Sequence, residues 1–174
     1  MATTIDRLSG FRARRDEFFA QHEHSPLSAE QRHSFQGLAY YPPNDALRFD
    51  VAMEATGEGI GDEVTLGTAD GGSKTYHRVG RISVPVAGEM VSLSVFKERE
   101  RGRYFLPFRD GTAGTETYAV GRYLDPRALP DARLSVDFNF AYNPYCAYSD
   151  GWSCPIPPAE NITTGPIRAG ERLA

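Results

Sequence analysis

Lysine is almost absent from this chain: two lysines stand against seventeen arginines. Codon bias in a GC-rich genome is one cause. Use of the guanidinium fork for bidentate carboxylate pairing is another, and the two are compatible. A positive excess is also missing. The formal net charge is −4, so there is no basic field to attract nucleic acid. No apolar run approaches the roughly 20 residues needed to span a bilayer. The first twenty residues lack the apolar stretch of a secretory leader and carry Asp6, Arg7, Arg12, Arg14, Arg15, Asp16 and Glu17 instead. The expectation is a cytoplasmic protein without membrane contact. Cysteine is down to Cys146 and Cys154, which such a compartment keeps as thiols. A disulfide that clips the two together is the alternative. Without secretion, the sequon Asn161-Ile162-Thr163 reads as chance.

Several chemistries lack their usual signatures. His22 and His24 sit at a helix end, far in sequence from both cysteines, so no close metal-ligand spacing appears. There is no Gly-rich phosphate loop between a strand and a helix and no Gly-x-Ser-x-Gly elbow. No cofactor is indicated, and oligomeric state is not legible.

What is present describes a globular domain. Hydrophobic residues make up 40% of 174 and charged residues 24%. A single domain of this size buries roughly 70% of its unfolded surface and needs no staple. Thr4 to about Glu23 places Ile5, Leu8, Phe11, Phe18 and Phe19 on one side at helical spacing, with Thr4 as N-cap. Ser28 with Gln31 resembles a capping box for one short turn through His33 to Phe35.

After Gly37 the period changes to two. Strands are expected at Leu47–Glu54, Val64–Thr68, Thr75–Val86, Met90–Glu98, Tyr104–Phe108, Glu116–Tyr123 and Leu134–Tyr142. Turns fall at Asp70-Gly71-Gly72, Gly88 and Arg101-Gly102. No helix-length segment separates the strands, which excludes βαβ units. The expected fold is mainly β: an antiparallel barrel or rolled sheet with an N-terminal amphipathic helix and an extended Pro-rich C-terminal tail. Closure would remove exposed edges. The expected layout is one domain over 1–174, with a helical segment 4–35, a β core 46–142 and a wrapping tail 143–174. Ile156, Ile162, Ile167 and Leu173 are the tail's apolar anchors, and Glu160, Asn161 and Arg168 its polar ones.

The densest chemistry lies between Arg103 and Asn161, which holds both cysteines and the only tryptophan. Phe105-Leu106-Pro107-Phe108-Arg109-Asp110-Gly111-Thr112 opens a recognisable pattern. Asp137-Phe138-Asn139-Phe140-Ala141-Tyr142-Asn143-Pro144-Tyr145-Cys146 and Cys154-Pro155-Ile156-Pro157-Pro158-Ala159-Glu160-Asn161 continue it, and Ile167-Arg168-Ala169-Gly170-Glu171 closes it. On these motifs the chain resembles the DUF1684 family, bacterial and archaeal proteins of unknown function. The resemblance implies a shared fold and supplies no reaction. One departure stands out: after Glu160-Asn161 the family continues with an arginine and an apolar stretch, whereas here Ile162-Thr163-Thr164-Gly165 follows.

Strand alternation groups Arg109, Glu116, Tyr118, Arg122, Asp137 and Asn139 on neighbouring strands, with Tyr142 close by. Arg109 and Arg122 suit a carboxylate or phosphate. The expected function is binding of a small polar or anionic molecule in a barrel mouth. The alternative is an enzyme with Glu116 or Asp137 as acid/base, or with Cys146 as nucleophile. Structural ion pairs across the sheet would use the same residues without any ligand.

Overall fold

The computed structural model describes residues 3–98 and 102–174. The turn expected at Arg101-Gly102 therefore lies partly outside the described residues. The first helix, α1, spans Thr4–Gln21. Its N-cap is Thr3 rather than Thr4. The Thr3 hydroxyl accepts from the Asp6 amide at 3.1 Å, and the Asp6 carboxylate accepts from the Thr3 amide at 3.0 Å. This reciprocal box satisfies two amides that the helix leaves unpaired. The inward stripe is narrower than expected: Leu8 and Phe19 are buried, but Ile5 is 75% exposed. The Ser28–Gln31 box opens α2, Ala29–Ser34.

Among the described residues, eight antiparallel strands form two sheets. One is a meander of β2 (Glu63–Gly67), β3 (Ser73–Val86), β4 (Glu89–Glu98), β5 (Tyr104–Phe108) and β6 (Arg122–Leu124), in sequence order. The other has the order β1-β8-β7, from β1 (Arg48–Ala52), β7 (Arg127–Leu129) and β8 (Arg133–Asp137). The barrel does not close: the five-stranded sheet curls into a half-barrel with β2 and β6 as its edges. Period-two patterning builds the core between the sheets. Ile82, Val84 and Val86 point inward from β3, with exposed Ser83 and Pro85 between them. They meet Leu93, Val95, Leu106 and Phe108 of the same sheet and Leu134 and Val136 of β8.

Two backbone hydrogen bonds join the sheets where Glu54 faces Arg81, at 2.8 and 2.9 Å. The approach is close enough that a Cβ on Gly80 would lie 2.4 Å from Met53 Cγ and 2.8 Å from the Glu54 carbonyl oxygen. Only glycine fits there.

Two expected strands are cut short: Glu116–Tyr123 begins only at Arg122, as β6, and Leu134–Tyr142 ends at Asp137. Residues 111–121 form turns, not a strand. Thr112 and Thr117 are buried there with hydroxyls 2.9 Å apart, and Thr112 also donates to Asp110. β8 stops at Asp137, whose carboxylate accepts from the Asn139 amide at 3.0 Å and starts a 3₁₀ turn over Phe138–Phe140. Residues 143–174 contain 3₁₀ turns and isolated bridges, among them Thr68 to Pro155 and Tyr40 to Glu171. Of the four aliphatic anchors expected here, Ile167 is fully buried. Ile156 and Ile162 are 41% and 48% exposed.

Candidate functional site

The residues grouped by strand alternation do not converge. Arg122 is fully buried. Its guanidinium donates to the carbonyls of Ala169 at 2.6 Å, Ile167 at 2.7 Å and Glu171 at 3.0 Å, and pairs with Asp110 at 3.3 Å. All of these partners belong to the protein, so Arg122 ties residues 167–171 to β6. Arg109 is exposed and donates to the Ala119 carbonyl at 3.0 Å. Glu116 accepts a bidentate pair from Arg168 at 2.8–3.0 Å and a hydrogen bond from the Tyr41 hydroxyl at 2.8 Å. Tyr118 is half-buried beside this loop. Asn139 donates to Asp137 at 2.8 Å, and its side-chain oxygen accepts from the Asn44 amide at 2.7 Å. These are stitches between segments, made locally because Asn and Asp side chains compete with the backbone ladder.

Cys146 is not the expected thiol. It forms a disulfide with Cys154, with the Cα atoms 6.4 Å apart. A disulfide sulfur has no thiolate to offer as nucleophile. Glu116 is equally poor as a general acid. The Arg168 hydrogen bonds, helped by Tyr41, hold its carboxyl down to about 2 from its ordinary 4.5. Its folded value is depressed, so the stabilisation it brings is present above pH 4.5 and lost as pH falls toward 2. In acid titrations followed by circular dichroism, Glu116→Gln is expected to flatten the loss of stability across that window. An unchanged slope would leave the Arg168 pair without a role in acid unfolding.

Two concave regions do exist. The larger is a cleft of about 780 Å³ between α1 and the three-stranded sheet. Arg7 and Arg14 line it from α1, Arg48 from β1, Arg127 from β7 and Asp137 from the end of β8. The carboxylates Asp45 and Asp137 are engaged by Arg48 at 2.9 and 3.5 Å and Asp6 by the Thr3 cap, while Asp50 lines the cleft with no side-chain partner among the described residues. Arg7, Arg14 and Arg127 have no carboxylate partner among the described residues. The Arg7 guanidinium lies 5.9 Å from the Phe140 ring centre.

The second cavity, about 500 Å³, opens where the half-barrel meets the loop around Trp152. Arg15 and Asn143 form part of its lining. Arg15 pairs with the fully buried Glu171 at 2.7 Å, and Glu171 also accepts from the Asn143 amide at 3.2 Å and from the Tyr148 hydroxyl. Burial raises the Glu171 carboxyl, with Arg15 opposing.

Asp125 and Tyr142 line both cavities. The Tyr142 hydroxyl donates to both Asp125 oxygens, at 3.0 and 3.2 Å. Solvent reaches Asp125, yet protein surrounds it on most sides. That surrounding raises its carboxyl above the usual range, with Tyr142 opposing. Burial and the neighbouring carboxylate together push the Tyr142 phenol well up. Of the residues expected from sequence, the cleft gathers Asp137 and Tyr142 and leaves out Arg109, Glu116, Tyr118, Arg122, Asn139 and Cys146. Asp125 was missed. Its signal is an acid set directly between an apolar strand and a proline, in Leu124-Asp125-Pro126.

Among the described residues no helix is long and apolar enough to cross a membrane. No curated protein matches the chain. The solution NMR structure of an uncharacterised protein from Haloarcula marismortui is similar: 37% identical, covering 95% of this chain and 92% of that one, with a TM-score of 0.73. The sequence profile of a protein family of unknown function, DUF1684, matches residues 33–172. The match spans most of the chain and joins β1 through β8 to the buried Glu171, and on it the chain belongs to the DUF1684 family.

Proposed function

We propose that the chain is a binding module for a small anionic molecule, seated in the cleft between α1 and the three-stranded sheet. One observation carries the reading: three arginines, Arg7, Arg14 and Arg127, face one cleft without carboxylate partners among the described residues. Arg7 and Arg14 are seven residues apart, two turns of one helix face. A guanidinium presents its donors as a planar fork that fits carboxylate or phosphate oxygens. The site thus moves from Arg109 and Arg122 to these three. The reading takes residues 1–174 as one domain, with segment 143–174 as a wrapping tail that backs the β core.

The test is calorimetric titration with inorganic phosphate, citrate and glutarate, alongside melting curves. Arg14→Ala/Arg127→Ala is the partner variant, because both side chains are exposed and their loss leaves the core intact. At least one anion is expected to raise the melting temperature. The double variant is expected to bind it about tenfold or more weakly, since a charged hydrogen bond contributes ~1.5–3 kcal/mol. Equal binding by both proteins, or no response to any anion, overturns the reading.

A second reading, catalysis in the same cleft, rests on Asp125. It is the carboxyl there whose proton is held above the usual carboxylate range, and Tyr142 orients it. Such a group serves as a general acid. Glu116 and Cys146 have no part in it.

A further inference from the structure

We infer that the second cavity is a separate binding site for a planar heteroaromatic ring. Its walls are aromatic on two sides. Tyr76 stacks on Phe105 at 5.2 Å, Phe105 meets Tyr123 edge-on at 4.9 Å, and Tyr123 meets Tyr142 at 5.8 Å. Facing them, Tyr145 and Trp152 meet edge-on at 4.9 Å. Both facing rings are held in place. The Trp152 indole N–H donates to Ser149 Oγ at 2.8 Å, and Tyr145 stacks on Phe18 of α1 at 6.0 Å.

A packed core would leave no such space, because protein interiors fill to crystal density. Here about 500 Å³ stays open, within the range of small-molecule sites. Phe105, Tyr142, Tyr145 and Trp152 remain half-exposed around it. The charge at the cavity is mixed: Arg15, Lys74 and Arg103 against Glu98 and Asp125. No single sign of charge selects the occupant, so the π faces do, as stacking platforms do for rings in general.

The polar side of the lining asks for more than a hydrocarbon ring. Arg15, Lys74 and Arg103 bring donors to it, and Glu98 and Asp125 bring acceptors. A heterocycle with both ring nitrogens and N–H groups offers the complement to both kinds.

Trp152 is the chain's only tryptophan, so its emission reports on this cavity alone. The experiment excites Trp152 in the full-length protein and titrates adenosine, nicotinamide and riboflavin, with cyclohexanol and inorganic phosphate as non-aromatic controls. A saturable change is expected with at least one ring compound and with neither control. Calorimetry on Trp152→Ala is expected to show that ring compound binding at least tenfold more weakly. The same titration on Arg14→Ala/Arg127→Ala is expected to match the wild type, since those arginines belong to the other cleft. That variant separates the two proposals: it removes anion binding and spares ring binding. No saturable change with any ring compound at ~1 mM, the weak edge of useful affinity, overturns the inference. Undiminished binding by Trp152→Ala, when circular dichroism shows the variant folded, also overturns it.

Discussion

Arg122→Leu is expected to lower the unfolding free energy by about 3–5 kcal/mol, the usual consequence of removing one partner of a buried ion pair. The mechanism is specific. Leucine fills much of the same volume but donates nothing. The carbonyls of Ile167, Ala169 and Glu171 would lose their donors together, and Asp110 would keep a buried charge with no cation. Asp110 would still accept from the Ile167 amide at 2.6 Å and from Thr112, so the site would be weakened rather than emptied. For a domain of this length each kcal/mol moves the melting temperature by roughly 2–4 °C, so a fall of about 6–20 °C is expected. Removing the stranded charge as well, in Arg122→Leu/Asp110→Leu, is expected to recover part of the loss. A single variant that melts within about 2 °C of the wild type would show that the guanidinium does not hold this segment.

The second large effect concerns the disulfide. Cys146→Ala/Cys154→Ala is expected to cost about 2.5 kcal/mol, the loop-closure entropy for a ring of roughly nine residues. The change should not spread evenly. The loop it frees carries Trp152, which lines the smaller cavity, and Ser149, which accepts from its indole N–H. Trp152 emission should shift to the red in the folded variant, because the indole gains water. Chemical reduction of the wild type should reproduce both effects. A variant with unchanged stability and unchanged emission would mean that packing of Tyr145 against Phe18 and Phe19 holds the loop without the covalent link.

Much of the fold is legible along the chain where a single physical rule dominates. The stretch Tyr104–Phe108 is an unbroken apolar and aromatic run and becomes β5 over those same residues. The Ser28–Gln31 box and the Asp70-Gly71-Gly72 turn carry their own local hydrogen bonds and need no distant partner. The failures share another cause. Glu116, Tyr118, Val120 and Arg122 alternate as a strand does, yet buried Thr112 and Thr117 offer the backbone a competing set of bonds, and a turn results. β7 has three residues, too few for a period to show. Arg122 looks like a ligand-binding group until its carbonyl partners 45–49 residues later are known, and no local pattern carries that pairing. The cleft has the same origin: α1 supplies Arg7 and Arg14, and β7 supplies Arg127 from more than a hundred residues on. The cysteines fail differently. Compartment argued for thiols, whereas the short loop between them is decided by its geometry.

The arrangement around Arg122 also sets an order of events during synthesis. Ribosomes deliver the chain from its N-terminal side, so β5 and β6 emerge well before residues 167–171. Until those residues arrive, the Arg122 guanidinium has Asp110 but none of its three carbonyls. A nascent chain through residue 160 has its half-barrel strands in hand, but its buried guanidinium is paired with Asp110 alone at the place where the core must close. Completion is thereby deferred to a late, non-local step, and chaperones would meet this protein before the Arg122 guanidinium has its carbonyl partners.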